Sequence, residues 1–325
     1  MNRDTFKSLL FNILIILGSC LIYCISGGIL QMAAGILISV LLGYSVTKHH
    51  YVFVAAESLL VMAAITSFFL VIGGISGIIA GITTSVFVVL LGVGLGIATN
   101  LNMSVRGMVL MSSAIYLINM FIGFSIIGGS VTSEMFLDEF NAMLSETLAT
   151  QYANTPEVIS MADELIGEIM SLVLKFMPTI LVCSAGASGL VLTLVYKKII
   201  VKINKNVKIE SLSNLRADKM AGILFIITII ITLSMNDALI LDVLLNLIII
   251  LGFMFYVCGL TYIDSSMRFK GRNKTFRTIM VIVVLPLITM LFALPALFIA
   301  GIGFIDSFAD FRKKHQLKEG NDGPQ

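Results

Sequence analysis

Glu57 is the one carboxylate set well inside a long apolar run of this chain. It lies about a turn and a half of helix inside the run that begins at Val52, just after the polar triplet Lys48-His49-His50. A charge at such depth in a bilayer costs roughly 2.5–3.5 kcal/mol on insertion scales. Placed there to do chemistry, it binds a cation, a proton or a polar ligand. The plainer alternative is that it snorkels to the near interface or meets a Ser or Thr hydroxyl. Asn12, Asn119 and Asn246 are asparagines inside apolar runs. Asn119 and Asn246 join Glu57 as candidate ligand-binding residues, although buried amides most often bond across helices for under about 2 kcal/mol. Lys175 sits near the start of another run, where snorkelling or an ion pair accounts for it. Near the end of the chain Asp306, Asp310 and Arg312 form a tight group. If helical, the two acids share a face, and Arg312 points nearly opposite Asp310, so those two do not pair directly. This group reads as a partner-docking or headgroup-contacting element, or as a plain interfacial helix stop.

Familiar catalytic patterns are missing from the sequence. There is no Ser/His/Asp set, no phosphate-binding glycine loop and no HExxH. Gly92, Gly94 and Gly96 alternate inside an apolar run, follow no strand and are not a nucleotide fingerprint. No Cys or His spacing suggests a metal site. Cys20, Cys24, Cys183 and Cys258 all lie in apolar runs, as small packing residues do. The chain therefore reads as a non-enzyme without a cofactor.

The elements that must position these residues are membrane helices. Apolar residues make up 58% of the 325-residue chain and charged residues 12%. A soluble domain is nearer a quarter charged, and so few charges could not cover a water-facing surface of this size. One bundle embedded in the lipid bilayer is expected, without a separate soluble domain. A span needs about 20 mostly apolar residues. Residues 9–25, 29–46, 52–72, 75–98, 107–127, 171–196, 220–235 and 239–262 supply eight, and 278–304 is a ninth apolar segment holding Pro286 and Pro295. The fold class is an all-α polytopic bundle. Leu17-Gly18-Ser19-Cys20 loosely resembles a lipoprotein cleavage site, but the apolar run continues past Cys20, so a retained first span is expected.

Gly27-Gly28, Gly73-Gly74 and Asn236-Asp237 are turn signals. Gly35, Ser39 and Gly43 recur every four residues, as do Gly73, Gly77, Gly81 and Ser85. Such small-residue stripes let helices approach closely in lipid, and the first is the candidate docking face for a membrane partner.

Sidedness comes from residues 129–170, which hold eight acids and no Lys or Arg. Phe136, Phe140, Met143, Leu144 and Leu148 form one helical stripe there, and Thr155-Pro156-Glu157 starts a second helix. A long acidic loop in a chain whose other long loops are basic belongs outside the cytoplasm. Residues 197–219 and 268–277 are the basic, cytoplasmic loops, read as headgroup contacts and not as a nucleic-acid surface. The N-terminus is then cytoplasmic. The charge of Arg312-Lys313-Lys314 puts the C-terminus there too, which requires 278–304 to fold as a hairpin buried by the bundle.

The ending Gly303-Phe-Ile-Asp306-Ser-Phe-Ala-Asp310-Phe311-Arg312-Lys313 resembles that of the YybS-like membrane proteins of bacteria. Leu91-Gly92-Val93-Gly94-Leu95-Gly96 and Leu260-Thr261-Tyr262 also look like that family. The resemblance implies kinship with the S components of energy-coupling-factor transporters, which capture a small solute and dock on a T component. Two features depart from S components. Their docking signature, Ala-x-x-x-Ala on the first helix, is replaced here by Gly35, Ser39 and Gly43 on the second, and the acidic insertion is additional.

Two functions are open at this point. One is an S-component-like binding subunit at the cell membrane, holding a small solute and docking on a membrane protein. The other is a non-transport envelope scaffold or regulator acting through its outer acidic helices.

Overall fold

The structure is a computed structural model and describes residues 3–26, 28–128, 156–204, 215–309 and 311–312. Every regular element among them is helical: α1 (Arg3–Ile25), α2 (Gly28–Lys48), α3 (Tyr51–Asn100), α4 (Val105–Gly128), α5 (Pro156–Ile203), α6 (Lys219–Ser234), α7 (Ala238–Phe269), α8 (Lys274–Ile279), α9 (Leu285–Leu291) and α10 (Ala293–Ala309). The stripe from Phe136 to Leu148, the capping Thr155 and Asp310 lie outside the described residues.

Six stretches are long and apolar enough to cross a membrane: Leu30–Lys48, Tyr51–Ile75, Gly77–Asn100, Val105–Gly123, Gly167–Ile203 and Ala238–Phe269. Leu10–Ile25, Lys219–Ser234 and Ala293–Ala309 are shorter apolar helices. At 1.5 Å per residue, the 16 residues of α6 rise only about 24 Å, against a hydrocarbon core of about 30 Å. The polarity of the packing is inverted relative to a soluble protein. Asn12, Ser39, Ser45, Glu57, Ser85, Ser112 and Thr193 are buried, while Val71, Ile75 and Leu233 are among the most exposed side chains. Lipid is the solvent such a surface fits.

By its packing the chain falls into two compact units. Residues 1–177 with 184–209 make the first, and residues 178–183 with 210–325 the second.

In the first unit α3 is a helical hairpin. Its backbone leaves the helix at Gly74, with φ +60°, a conformation glycine adopts without penalty. The limbs then fold back so closely that a methyl on Gly77 would collide with Phe69 O, and one on Gly81 would lie 2.8 Å from Thr66 Cα. Thr66 and Ser85 hydroxyls meet at 3.5 Å across the same seam. The Gly73-Gly74 turn and its small-residue stripe thus form as the sequence indicates.

Helix α2 packs against the second limb through Ser39 and Gly43, while Gly35 faces Tyr23 of α1. A methyl on Gly92 would lie 2.6 Å from Ser39 O, and one on Gly43 2.9 Å from Gly92 O. Ser39 Oγ donates to Val88 O at 3.1 Å. Ile16 and Cys20 of α1 close one side of this pair with Ile38, Leu42, Val61 and Ile65. Met108 of α4 and Leu192, Tyr196 and Ile200 of α5 close the other with Val40, Leu91 and Leu95.

In the second unit, Asp237 caps α7, its Oδ1 accepting from Leu239 N at 2.9 Å and Ile240 N at 3.1 Å. Phe225, Phe255 and Phe304 form an aromatic core with ring centroids 5.3–5.7 Å apart. The proline-bearing segment does not cross in one piece. A π-helical turn (Met280–Val284) joins α8 to α9 just before Pro286, which has no N–H to give to position 282. The backbone is then extended at Phe292, with φ −137° and ψ 123°. On the way in, Arg277 pairs with Asp264 and Thr289 hydrogen-bonds Tyr256. On the way back, Gly303 lies against Phe255 O and Arg312 reaches Cys258 O. The chain doubles back at Phe292, and both arms of the hairpin lie on α7.

Candidate functional site: a buried polar cluster and a cavity at opposite ends of α2

Helices α1 and α2 run antiparallel, so Asn12 meets Ser45 at one end and Tyr23 meets Gly35 at the other. The tight α2–α3 turn brings Glu57 back beside Ser45. Asn12 Nδ2 donates to Ser45 Oγ at 2.6 Å and to Glu57 Oε1 at 3.1 Å. All three side chains are buried, Glu57 to 2% exposure. Glu57 does not snorkel: it faces protein, bonded to an amide from 45 residues earlier. Its second oxygen, Oε2, is buried without a hydrogen-bond partner, as is Nε2 of His49 on the turn. Burial pulls His49 below its ordinary value; Glu57 opposes this and Lys48 adds to it. The cluster therefore joins one acid to two neutral polar groups, all three buried.

At the other end of α2, about 15 Å away by helical rise from Ser45 to Gly35, is a cavity of about 190 Å³. Tyr23, Gln31, Ser39, Phe87 and Tyr116 contribute to its wall, and no charged side chain does. Phe87 and Tyr116 stand edge to face there, centroids 4.9 Å apart. The site is made where α2 is narrowed by Gly35 and the aromatic rings of α1, α3 and α4 can reach across it.

The other candidates fall elsewhere. Asn119 is half-buried on α4, away from both the polar cluster and the cavity wall. Asn246 is consumed in packing: its Oδ1 accepts from Thr179 N at 3.3 Å and from the Thr179 hydroxyl, beside Pro178. That is how a membrane bundle re-satisfies backbone freed at a proline. Gly35, Ser39 and Gly43 are covered by Tyr23, Val88, Gly92 and Tyr196 within their own unit. Asp306 and Arg312 pair with each other, Nε to Oδ2 at 2.8 Å, and Arg312 also donates to Leu215 O, Cys258 O and Thr261 Oγ1. These two residues are buried, so they hold the end of α10 in place and do not present a free surface.

Sequence reasoning did not single out Ser45, His49, Tyr23, Gln31 or Tyr116. Ser45 and His49 are four apart, bracketing the end of a helix that packs on an acid, and this is the one local signal that pointed to them. The cavity had none, because its wall is drawn from four helices.

No curated protein and no solved structure matches the chain. A family model described as "Predicted membrane protein (DUF2232)" matches residues 12–307. That range takes in the polar cluster, the cavity and Asp306, and the chain belongs to this family of membrane proteins.

Proposed function

We propose that the protein is a small-solute-binding membrane subunit, similar to the S components of energy-coupling-factor transporters, within the YybS-like group. The observation that carries this reading is the cavity beside Gly35. Its volume of about 190 Å³ exceeds that of an engineered core cavity of 150 Å³ that takes up benzene. Its walls are mainly apolar with a few convergent polar groups, the usual make-up of a small-molecule site. In the topology we infer, Lys48-His49-His50 and both termini face the cytoplasm and residues 129–170 face outward. The short helices α1 and α6 then complete eight spans, with the α8–α10 hairpin as the ninth apolar segment. The cavity opens in the outer half of the bundle, where an S component holds its solute. The role is binding and docking, not catalysis, and the partner is a T component in the cell membrane.

Native mass spectrometry after gentle solubilisation tests this. A small molecule should be retained by the wild type and lost from Gly35→Leu, whose side chain fills the cavity, while the variant remains monodisperse. A T component and its ATPases should copurify. Copurification of envelope-synthesis proteins, with no retained solute, would replace this reading by the scaffold one.

A further inference from the structure

Taken as the solute site, the cavity beside Gly35 also restricts which solute it holds. Tyr23 of α1, Phe87 of the second limb of α3 and Tyr116 of α4 bring three aromatic rings to its wall. Gly35 leaves room for the first: a methyl there would lie 3.0 Å from Tyr23 Cε2, so the ring rests against bare backbone. Phe87 and Tyr116 meet at 72°, centroids 4.9 Å apart. Two rings at that angle make a corner, and a third ring set into it extends an edge-to-face contact that aromatic groups favour beyond the area they bury.

Charge is the second restriction. Besides the two tyrosines, Gln31 and Ser39 are the polar residues of the wall, and neither ionises. Ser39 gives its hydroxyl proton to Val88 O, so toward the cavity it only accepts. Gln31 carries both amide donors and a carbonyl acceptor. A carboxylate or phosphate in this space would meet no cation, and an ammonium no anion. Glu57 and Lys48 belong to the opposite end of α2. Aromatic walls attract cations, but that attraction is smaller than the cost of sealing an unpaired charge from water.

Size is the third. The volume of about 190 Å³ is about a quarter more than the 150 Å³ that takes up benzene, which in proportion is one ring with one or two small substituents. Met32 lines the cavity and is 60% exposed, so the space reaches the protein surface beside the first turn of α2. Resting on the solute-binding reading, we propose that the solute is an uncharged, single-ring aromatic or heteroaromatic molecule. Its ring packs against Phe87 and Tyr116, and a substituent that both donates and accepts, such as a carboxamide, pairs with Gln31.

The test uses the full chain in lipid nanodiscs, with protein-free nanodiscs as the blank. The probes are benzamide, cyclohexanecarboxamide, benzoate and choline. The first two share size and amide and differ in aromaticity. Benzoate keeps the ring and adds a negative charge, and choline is a small cation. By saturation-transfer NMR titration, benzamide should bind the wild type about tenfold more tightly than each of the others. Tyr116→Leu removes a ring but keeps an apolar wall, and should bring benzamide down to the level of cyclohexanecarboxamide. The rank order in the wild type needs no substitution, which covers the case of a poorly folded Tyr116 variant. Equal affinity for the two amides overturns the proposal, as does tighter binding of benzoate or choline, or indifference of benzamide to Tyr116→Leu. A native molecule that is retained by the wild type, lost from Gly35→Leu and proves charged or non-aromatic also overturns it, and leaves the solute-binding reading standing. Nothing retained and no probe bound overturns both.

Discussion

Arg312 donates through Nε to Asp306 Oδ2 at 2.8 Å, and both side chains are buried. The pair spans six residues at the end of α10, and the guanidinium goes on to two carbonyls, Leu215 O and Cys258 O, at 3.0 Å each. Breaking a buried pair from one side leaves an uncompensated charge and costs about 3–5 kcal/mol. Arg312→Ala should therefore lower the melting temperature of the purified protein strongly, and Arg312→Lys nearly as much, since an ammonium cannot reproduce the planar fork. Asp306→Asn with Arg312→Met should be milder than Arg312→Ala alone. Equal losses in the two cases would show that the ion pair is not what matters there.

The α3 hairpin gives a sharper packing prediction. At Gly77 the obstacle to any side chain is backbone, Phe69 O, and neither limb can yield without opening the seam. Gly77→Ala should destabilise by about 1–3 kcal/mol through overpacking. Gly123→Ala, where nothing lies within 4 Å, should be close to silent. Thermal melts of both variants in the same detergent check this. A silent Gly77→Ala would mean the limbs do not meet at that point.

The turns and breaks of this fold were legible because they are local. Gly73-Gly74, Asn236-Asp237 and the two prolines of the last segment mark the chain at the positions where it bends. The stripe Gly35, Ser39 and Gly43 was legible as a packing face, but whether it meets another helix of the same chain or a partner is a tertiary question. The polar contacts were not legible. Asn12 finds Glu57 across 45 residues, and Arg312 finds Leu215 across 97. Which residue an amide or guanidinium meets depends on how each helix is rotated about its axis. Helices that are apolar on every face carry almost no periodic signal of that rotation. For Arg312, spacing ruled out Asp310 as a partner and pointed no further, whereas the long side chain reaches back to Asp306.

His49 sets a pH dependence of stability. Its folded-state value lies below the ordinary 6.5, with burial the largest cause. The unfolded chain therefore binds this proton more readily than the folded one. The stability linked to His49 is complete above about pH 6.5 and is lost as the pH falls below it. Acidification from about pH 7 to about pH 5 should lower the melting temperature of the wild type, and His49→Gln should flatten that decline. An unchanged slope in His49→Gln would remove His49 from the titration.

The hairpin at Phe292 predicts where the chain ends relative to the loop before α8. Arg277 meets Asp264 near one end of α7, and the segment climbs to Tyr256 at Thr289 before turning. After Phe292 the second arm passes Phe255 at Gly303, and Arg312 then reaches Thr261 Oγ1 at 3.2 Å. Arg312 thus returns to within one turn of α7 from Asp264. Residues 270–274 and the chain after Arg312 should lie on the same side of the membrane, which a single straight crossing of 278–304 would forbid. Single cysteines at Gly271 and Gln316, in a background with Cys20, Cys24, Cys183 and Cys258 replaced, report this with an impermeant thiol reagent on intact cells. Both positions should be protected until the cells are opened, as the basic residues on each side of the hairpin require. Labelling of Gln316 but not Gly271 in intact cells would mean that the segment crosses once and that the chain does not double back.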